Sequence, residues 1–166
     1  MKKEAGILGI LGLLLIVINL SYVLISNPDL VSQATGLVIF EEVHQEEKVI
    51  TKIIDGDTVV IEGGEHVRLL GIDCDEKGKP CYKAANTRIE ALALGKKAVL
   101  EWESEDKDQY GRKLRYIITD GRNINEQMAA EGYCVARFYQ ESKYKEAIQQ
   151  AESNAIANNI GCKWKD

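Results

Sequence analysis

The chain has 166 residues, 45% of them hydrophobic, which is room for one domain of ordinary size with a single core. Its formal charge of −5 is carried mostly by Glu41, Glu42, Glu46 and Glu47, so that residues 48 to 166 stand near neutral at −1. That balance argues against a protein that grips duplex nucleic acid with its whole surface, which needs a basic face and a high pI, and leaves phosphate recognition to a local site.

From Ala5 to Ser26 there is no charged residue. About 22 residues at a rise of about 1.5 Å reach roughly 33 Å, enough for a hydrocarbon core of about 30 Å. The stretch exceeds the apolar region of a cleaved signal peptide, roughly 7 to 15 residues, and Ser32-Gln33-Ala34 is the one passable cleavage site after it. The expectation is a transmembrane signal anchor over residues 5–26, with secretion after signal cleavage and a buried core helix as alternatives. Lys2 and Lys3 precede the span, so the positive-inside rule keeps residues 1–4 cytoplasmic and places the remainder outside, on a single-pass cell-membrane protein. Residues 27–46, with Pro28 and the acidic cluster, read as a linker, in which Leu37-Val38-Ile39-Phe40 begins a strand or packs on the domain.

Residues 47–166 form the domain. Val49, Ile50, Ile53 and Ile54 are β-branched in a polar background, and Val59-Val60-Ile61 continues that texture past Asp55-Gly56-Asp57. Gly63-Gly64 reads as a hairpin turn into Val67-Arg68-Leu69-Leu70, pairing the strand of Arg68 with the one that Asp57 begins. A helix is predicted over residues 83–94, with Ala85, Ile89 and Leu92 on one stripe and Gly95 as its stop. Strands follow over 97–103 and 113–119, then a short helix over 123–131 capped by Gly132. A last helix over 143–158 carries the stripe Tyr144, Ile148, Ala151 and Ala155. Five strands and three helices are an α+β pattern.

Cys74, Cys81, Cys134 and Cys162 are an even set with no closely spaced pair of zinc type. Outside the cell they read first as disulfides, Cys74 with Cys81 and Cys134 with Cys162 being the preferred one of three connectivities, and four reduced thiols the alternative.

Three ordered blocks carry the chemistry: Asp55-Gly56-Asp57-Thr58, then Val67-Arg68-Leu69-Leu70-Gly71-Ile72-Asp73-Cys74-Asp75-Glu76, then Asp108-Gln109-Tyr110-Gly111-Arg112. Hard divalent cations take carboxylate and carbonyl oxygens, a water attacking phosphorus needs a base, and phosphoryl charge is met by guanidinium forks. Together the blocks resemble those of the staphylococcal nuclease (thermonuclease, micrococcal nuclease) family, over roughly residues 47 to 166. The resemblance implies a five-stranded OB-fold-type β-barrel, with metal on Asp57, Asp73 and the backbone carbonyl of Cys74. It also implies Glu76 as general base, and Arg68 and Arg112 on the scissile phosphate. Tyr110 matches a neighbour of substrate phosphate, and Tyr133, Phe138 and Tyr139 are candidates for stacking on a base or for core packing. Arg115 reads as an ordinary surface arginine. Three departures stand out: Asp75 replaces the family's proline and adds a negative charge beside the metal, Gln109 replaces a lysine and removes a phosphate contact, and the loop after Glu76 is short and bears Cys81, so that a Cys74–Cys81 bridge would close it into a ring that holds the ligand loop.

The expected activity is Ca²⁺-dependent hydrolysis of DNA, and of RNA, preferably single-stranded, to 3′-phosphate ends, by a monomer with no protein partner. A catalytically silent nuclease-like module that binds nucleic acid or protein at the envelope is the rival. A metal-stabilised envelope interaction module without nucleic acid is the third reading.

Overall fold

The computed structural model describes residues 44–140 and 142–165, so the expected anchor at 5–26 and nearly all of the linker lie outside the described residues. Among the described residues no helix is long and apolar enough to cross a membrane.

Strand β1 (Gln45–Asp55) is long because it serves two partners. Its first half, Gln45 to Val49, pairs antiparallel with β5 (Lys97–Glu101), and its second half, Ile50 to Asp55, with β2 (Thr58–Ile61). Irregularities in register at Ile50/Lys52 and Ile53/Asp55 bend the strand around the corner between them. The Gly63-Gly64 hairpin leads from β2 into β3 (His66–Leu69), with Thr58 opposite Arg68. β5 in turn pairs antiparallel with β6 (Lys113–Thr119). The sheet then closes on itself: β3 also pairs with β6, in parallel, Arg68 standing opposite Leu114 and Leu69 opposite Arg115. A five-stranded barrel of β1, β2, β3, β6 and β5 results, the OB-type architecture expected.

Two further pairings are present. A two-residue strand β7 (Arg122–Asn123) pairs antiparallel with β6 across the Asp120-Gly121 turn. A ribbon joins β4 (Ile72–Cys74) antiparallel to β8 (Cys134–Ala136). The helices are α1 (Tyr82–Ala93), α2 (Ile124–Ala130) and α3 (Lys145–Ala157), close to their expected bounds, with a short α4 (Gly161–Trp164) in addition. Ala85, Ile89 and Leu92 of α1 and Ile148, Ala151 and Ala155 of α3 are buried as their spacing predicts. Asn123 caps α2 by accepting from the N–H groups of Asn125 and Glu126. One core runs from the barrel (Ile50, Val59, Ile61, Val67, Leu69, Leu100, Ile117) into the helices (Ile89, Met128, Ile148). Each such side chain contributes roughly 1.5–3 kcal/mol on full burial.

Arg115 is not a surface residue. It is only 1% exposed, its guanidinium paired with Asp106 at 2.5 Å and lying over Trp102, 4.3 Å from the ring centroid. Strand periodicity placed it on β6 but had no means of showing that the 102–106 segment folds over it.

The disulfides also differ from expectation: Cys74 is bridged to Cys134 and Cys81 to Cys162. Cys74 and Cys134 are direct register partners in the β4–β8 ribbon, whereas pairing by nearness in sequence ignores that ribbon. Cys81, the residue before α1, meets α4 from the far end of the chain.

The barrel closure is held from outside by a polar side chain. Asn125 of α2 is fully buried; its carbonyl accepts from the Ile117 N–H at 3.0 Å, and its amide donates to the Leu70 carbonyl at 2.8 Å and to the Arg115 carbonyl at 3.2 Å. Replacing it by leucine leaves those backbone groups without this partner, so Asn125→Leu should lower unfolding stability by about 2–4 kcal/mol. Chemical denaturation checks this, and an unchanged midpoint would show that the closure does not depend on Asn125.

Candidate active site

Strand alternation aims the site residues. In β3, Val67 and Leu69 are buried and Arg68 between them faces the other way; in β4, Ile72 and Cys74 are buried and Asp73 faces out. The Asp55-Gly56-Asp57 turn between β1 and β2 presents Asp57. There the Asp55 carboxylate accepts the Asp57 N–H at 3.1 Å, and Asp57 Oδ2 accepts the Cys74 N–H at 2.7 Å. Gly56 permits this approach, since a Cβ there would lie 2.8 Å from Cys74 Cβ and 2.9 Å from Ala85 Cβ.

Asp57 and Asp73 converge on one point. Arg68 Nη2 stands 3.3 Å from Asp57 Oδ2 and 3.2 Å from Asp73 Oδ1, while its Nη1 donates to the Leu69 carbonyl at 2.7 Å. Burial pushes the Asp57 carboxyl up to about 6; Arg68 and the Cys74 N–H oppose that, and Asp55 and Asp73 add to it.

Arg112 is set by its own loop. Asp108 Oδ1 accepts the N–H groups of Tyr110 at 2.9 Å and Arg112 at 3.0 Å, and Oδ2 accepts Arg112 Nε–H at 2.8 Å. Burial disfavours the Asp108 anion, but its bonds to the Arg112 side chain and to the two backbone N–H groups outweigh that and hold the carboxyl below its usual range. Arg112 Nη1 reaches Thr58 Oγ1 at 3.4 Å, beside Asp57. Because the loop runs straight into β6, and β6 pairs with β3, Arg112 and Arg68 line one cleft of about 530 Å³.

That cleft is also lined by Asp73, Tyr110, Phe138 and Tyr139. Tyr110 is exposed and lies beside Arg112, whose Cζ is 5.5 Å from its ring centroid. Tyr139 is 87% exposed, and Phe138 packs against the core. Phe138 also covers Gly71, where a Cβ would come within 2.5 Å of its ring. Tyr133 packs on the core and does not line the cleft. Glu76 is exposed on the loop after β4 and is likewise not among the lining residues. Gln109 lines the cleft at the expected place.

Asp75 does not face the carboxylate pair as a free charge. Its Oδ1 pairs with Lys163 at 2.5 Å and its Oδ2 accepts the Cys81 N–H at 2.8 Å. It ties the loop after β4 to α4 beside the Cys81–Cys162 bridge. One functional candidate was missed altogether: Arg137 lines the cleft, its Nη1 2.6 Å from Asp73 Oδ2. Only the β4–β8 ribbon brings it there, and no local pattern marks it.

The donor set fits a hard divalent cation. Two aspartates already share one cationic nitrogen, and one of them is buried. Among the described residues no group of three or more His, Cys, Asp or Glu side chains that could hold a metal ion is present, so the side-chain donors here number two. An ion here would therefore complete its shell with the Cys74 carbonyl, water and phosphate, as Ca²⁺ does with its high, flexible coordination.

Fold and site together define an OB-type barrel that carries two arginines and Asp73 at one open cleft, with Asp57 paired to Arg68 behind it. Residues 66–166 match the family described as Staphylococcal nuclease homologue. The chain is 33% identical over 165 residues to a thermonuclease of Staphylococcus hyicus, spanning 93% of this chain and 94% of that one. It is 35% identical over 124 residues to a thermonuclease of Staphylococcus intermedius, spanning 69% and 74%. With endonuclease YncB of Bacillus subtilis (strain 168) it shares 33% over 123 residues, 67% of this chain and 58% of that protein. The chain belongs to the staphylococcal nuclease family.

Proposed function

We propose that this protein is a Ca²⁺-dependent nuclease that hydrolyses DNA, and RNA, with preference for single strands, leaving 3′-phosphate ends. The observation that carries the reading is the meeting of Arg68, Arg112 and Asp73 on one cleft, with Asp57 buried behind it and paired to the same Arg68 nitrogen as Asp73. The names of the relatives, thermonuclease and endonuclease, agree with it.

The strand lies in the cleft with its scissile phosphate between Arg68 and Arg112. Their forks take non-bridging oxygens and meet the charge that grows as phosphorus becomes pentacoordinate. Glu76, which the family resemblance names as general base and which stands exposed on the loop after β4 rather than on the cleft wall, is the proposed acceptor of the proton from the water that attacks phosphorus in line with the 5′-oxygen. The P–O5′ bond breaks, the 5′-oxygen takes up a proton, and phosphate stays on the 3′ side. Asp57, Asp73 and the Cys74 carbonyl would hold Ca²⁺, which supplies charge neutralisation at the phosphate. Asp108 keeps Arg112 in place, and Tyr110 and Tyr139 offer faces to bases.

The enzyme acts as a monomer outside the cytoplasm, held at the cell membrane by residues 5–26. The uncharged N-terminal span supports the anchor, and two disulfides suit an oxidising compartment.

With full-length protein, single-stranded DNA should be digested in Ca²⁺ and not in chelator. Glu76→Gln and Arg112→Ala should each slow turnover by at least about 10²-fold with the fold intact. Wild-type rates in either variant, or digestion indifferent to chelator, would defeat the reading. Expressed in a bacterium, the full chain should sediment with membranes and keep its first 26 residues; soluble product starting near Thr35 would mean a cleaved signal instead.

A further inference from the structure

Asp73 is engaged on both oxygens by guanidinium groups. Oδ1 stands 3.2 Å from Arg68 Nη2 and Oδ2 stands 2.6 Å from Arg137 Nη1. The two arginines differ in how firmly they are held. Arg68 is 17% exposed, donates to the Leu69 carbonyl and also pairs with Asp57. Arg137 is 53% exposed and is otherwise held by its Nε–H, which donates to Tyr139 Oη at 2.9 Å, with the guanidinium 5.7 Å from that ring's centroid. Its backbone is fixed, since the Arg137 N–H donates to the Gly71 carbonyl.

A hard cation needs a carboxylate oxygen at about 2.3–2.6 Å, and Asp73 has none without a guanidinium beside it. The half-exposed group is the cheaper to displace, because water compensates it on release. Once off Asp73, Arg137 remains hinged at Tyr139 on the cleft wall, with a free fork in a space where the proposed substrate carries a phosphate on every nucleotide.

We propose that Arg137 occupies Asp73 until a divalent cation arrives and then binds a second phosphate of the single strand, making it a substrate-binding residue whose availability depends on the metal. The inference rests on the nuclease reading for its ligand, and it deepens that reading by coupling metal binding to substrate binding through one side chain.

The test compares Glu76→Gln with Glu76→Gln/Arg137→Gln, using a labelled single-stranded oligonucleotide at several salt concentrations, in Ca²⁺ and in chelator. In Ca²⁺ the Arg137 change should weaken binding at least about tenfold and reduce the slope of log affinity against log salt by about 0.7, one phosphate contact on a single strand. In chelator the loss should stay within about threefold, because Arg137 is then held on Asp73. Without DNA, Arg137→Gln should bind Ca²⁺ at least about threefold more tightly than wild type, while Arg137→Lys, which keeps the charge, should not. Equal losses with and without Ca²⁺, an unchanged salt slope, or unchanged Ca²⁺ affinity would each overturn the inference. These are binding measurements, so a wild-type protein that fails to cut DNA would sink the nuclease reading and still leave Arg137 decided.

Discussion

The site depends on the parallel pairing of β3 with β6. Without it the barrel is an open sheet, and Arg68 on β3 and Arg112 on the loop before β6 have no reason to meet. With it, Arg68 stands opposite Leu114, two residues after Arg112, and both guanidinium groups line the same cleft. A parallel pairing between strands about 45 residues apart cannot be made by a hairpin and needs support along its edge. Asn125 provides that support by binding backbone groups of Leu70, Arg115 and Ile117 at once. The Asp57 turn joins the same assembly through the β2–β3 hairpin, its carbonyl accepting the Leu69 N–H at 2.8 Å.

A second framework fixes the other carboxylate. Asp73 sits in a three-residue strand that would be marginal alone, but the ribbon partner β8 and the Cys74–Cys134 bridge clamp it. The following loop is secured at its far end by the Cys81–Cys162 bridge and by Asp75 between Lys163 and the Cys81 N–H. The expected short ring within this loop is thus replaced by two long-range ties, of 60 and 81 residues in sequence separation. Such closures restrict the unfolded chain more than a ring of a few residues would. They also join the ligand segment to the C-terminal part of the fold. Asp75, which seemed from sequence to add charge next to the cation, is committed to that anchorage.

Much of this was legible before the structure because it is local. The β-branched runs, the Gly63-Gly64 hairpin and the helix stripes depend on spacing within a few residues, and alternation alone puts Arg68 and Asp73 on faces opposite their buried neighbours. The three motif blocks contain Arg68, Asp73, Tyr110 and Arg112, which line the cleft, though only barrel closure puts those blocks together; Asp57 and Glu76 of the same blocks do not line it. What escaped notice is what long-range pairing decides. Arg115 looks like any strand arginine until Trp102 and Asp106 fold over it. Arg137 acquires meaning only when β8 is laid against β4. Nearness in sequence is a poor guide to cysteine partners when a ribbon joins positions 74 and 134.

On the proposed reading, Arg68 and Arg112 act on one phosphate because closure of the barrel brings both to one cleft. A double-mutant cycle in kcat/KM on single-stranded DNA, with Arg68→Lys, Arg112→Lys and the double variant, reads this directly. Each lysine keeps the charge and removes the fork, so each single change should cost at least about tenfold. Groups that act as a unit are not additive, and the double variant should fall short of the product of the single losses by at least about tenfold. Losses that multiply to within about twofold would mean that the two arginines work independently, and would contradict the account.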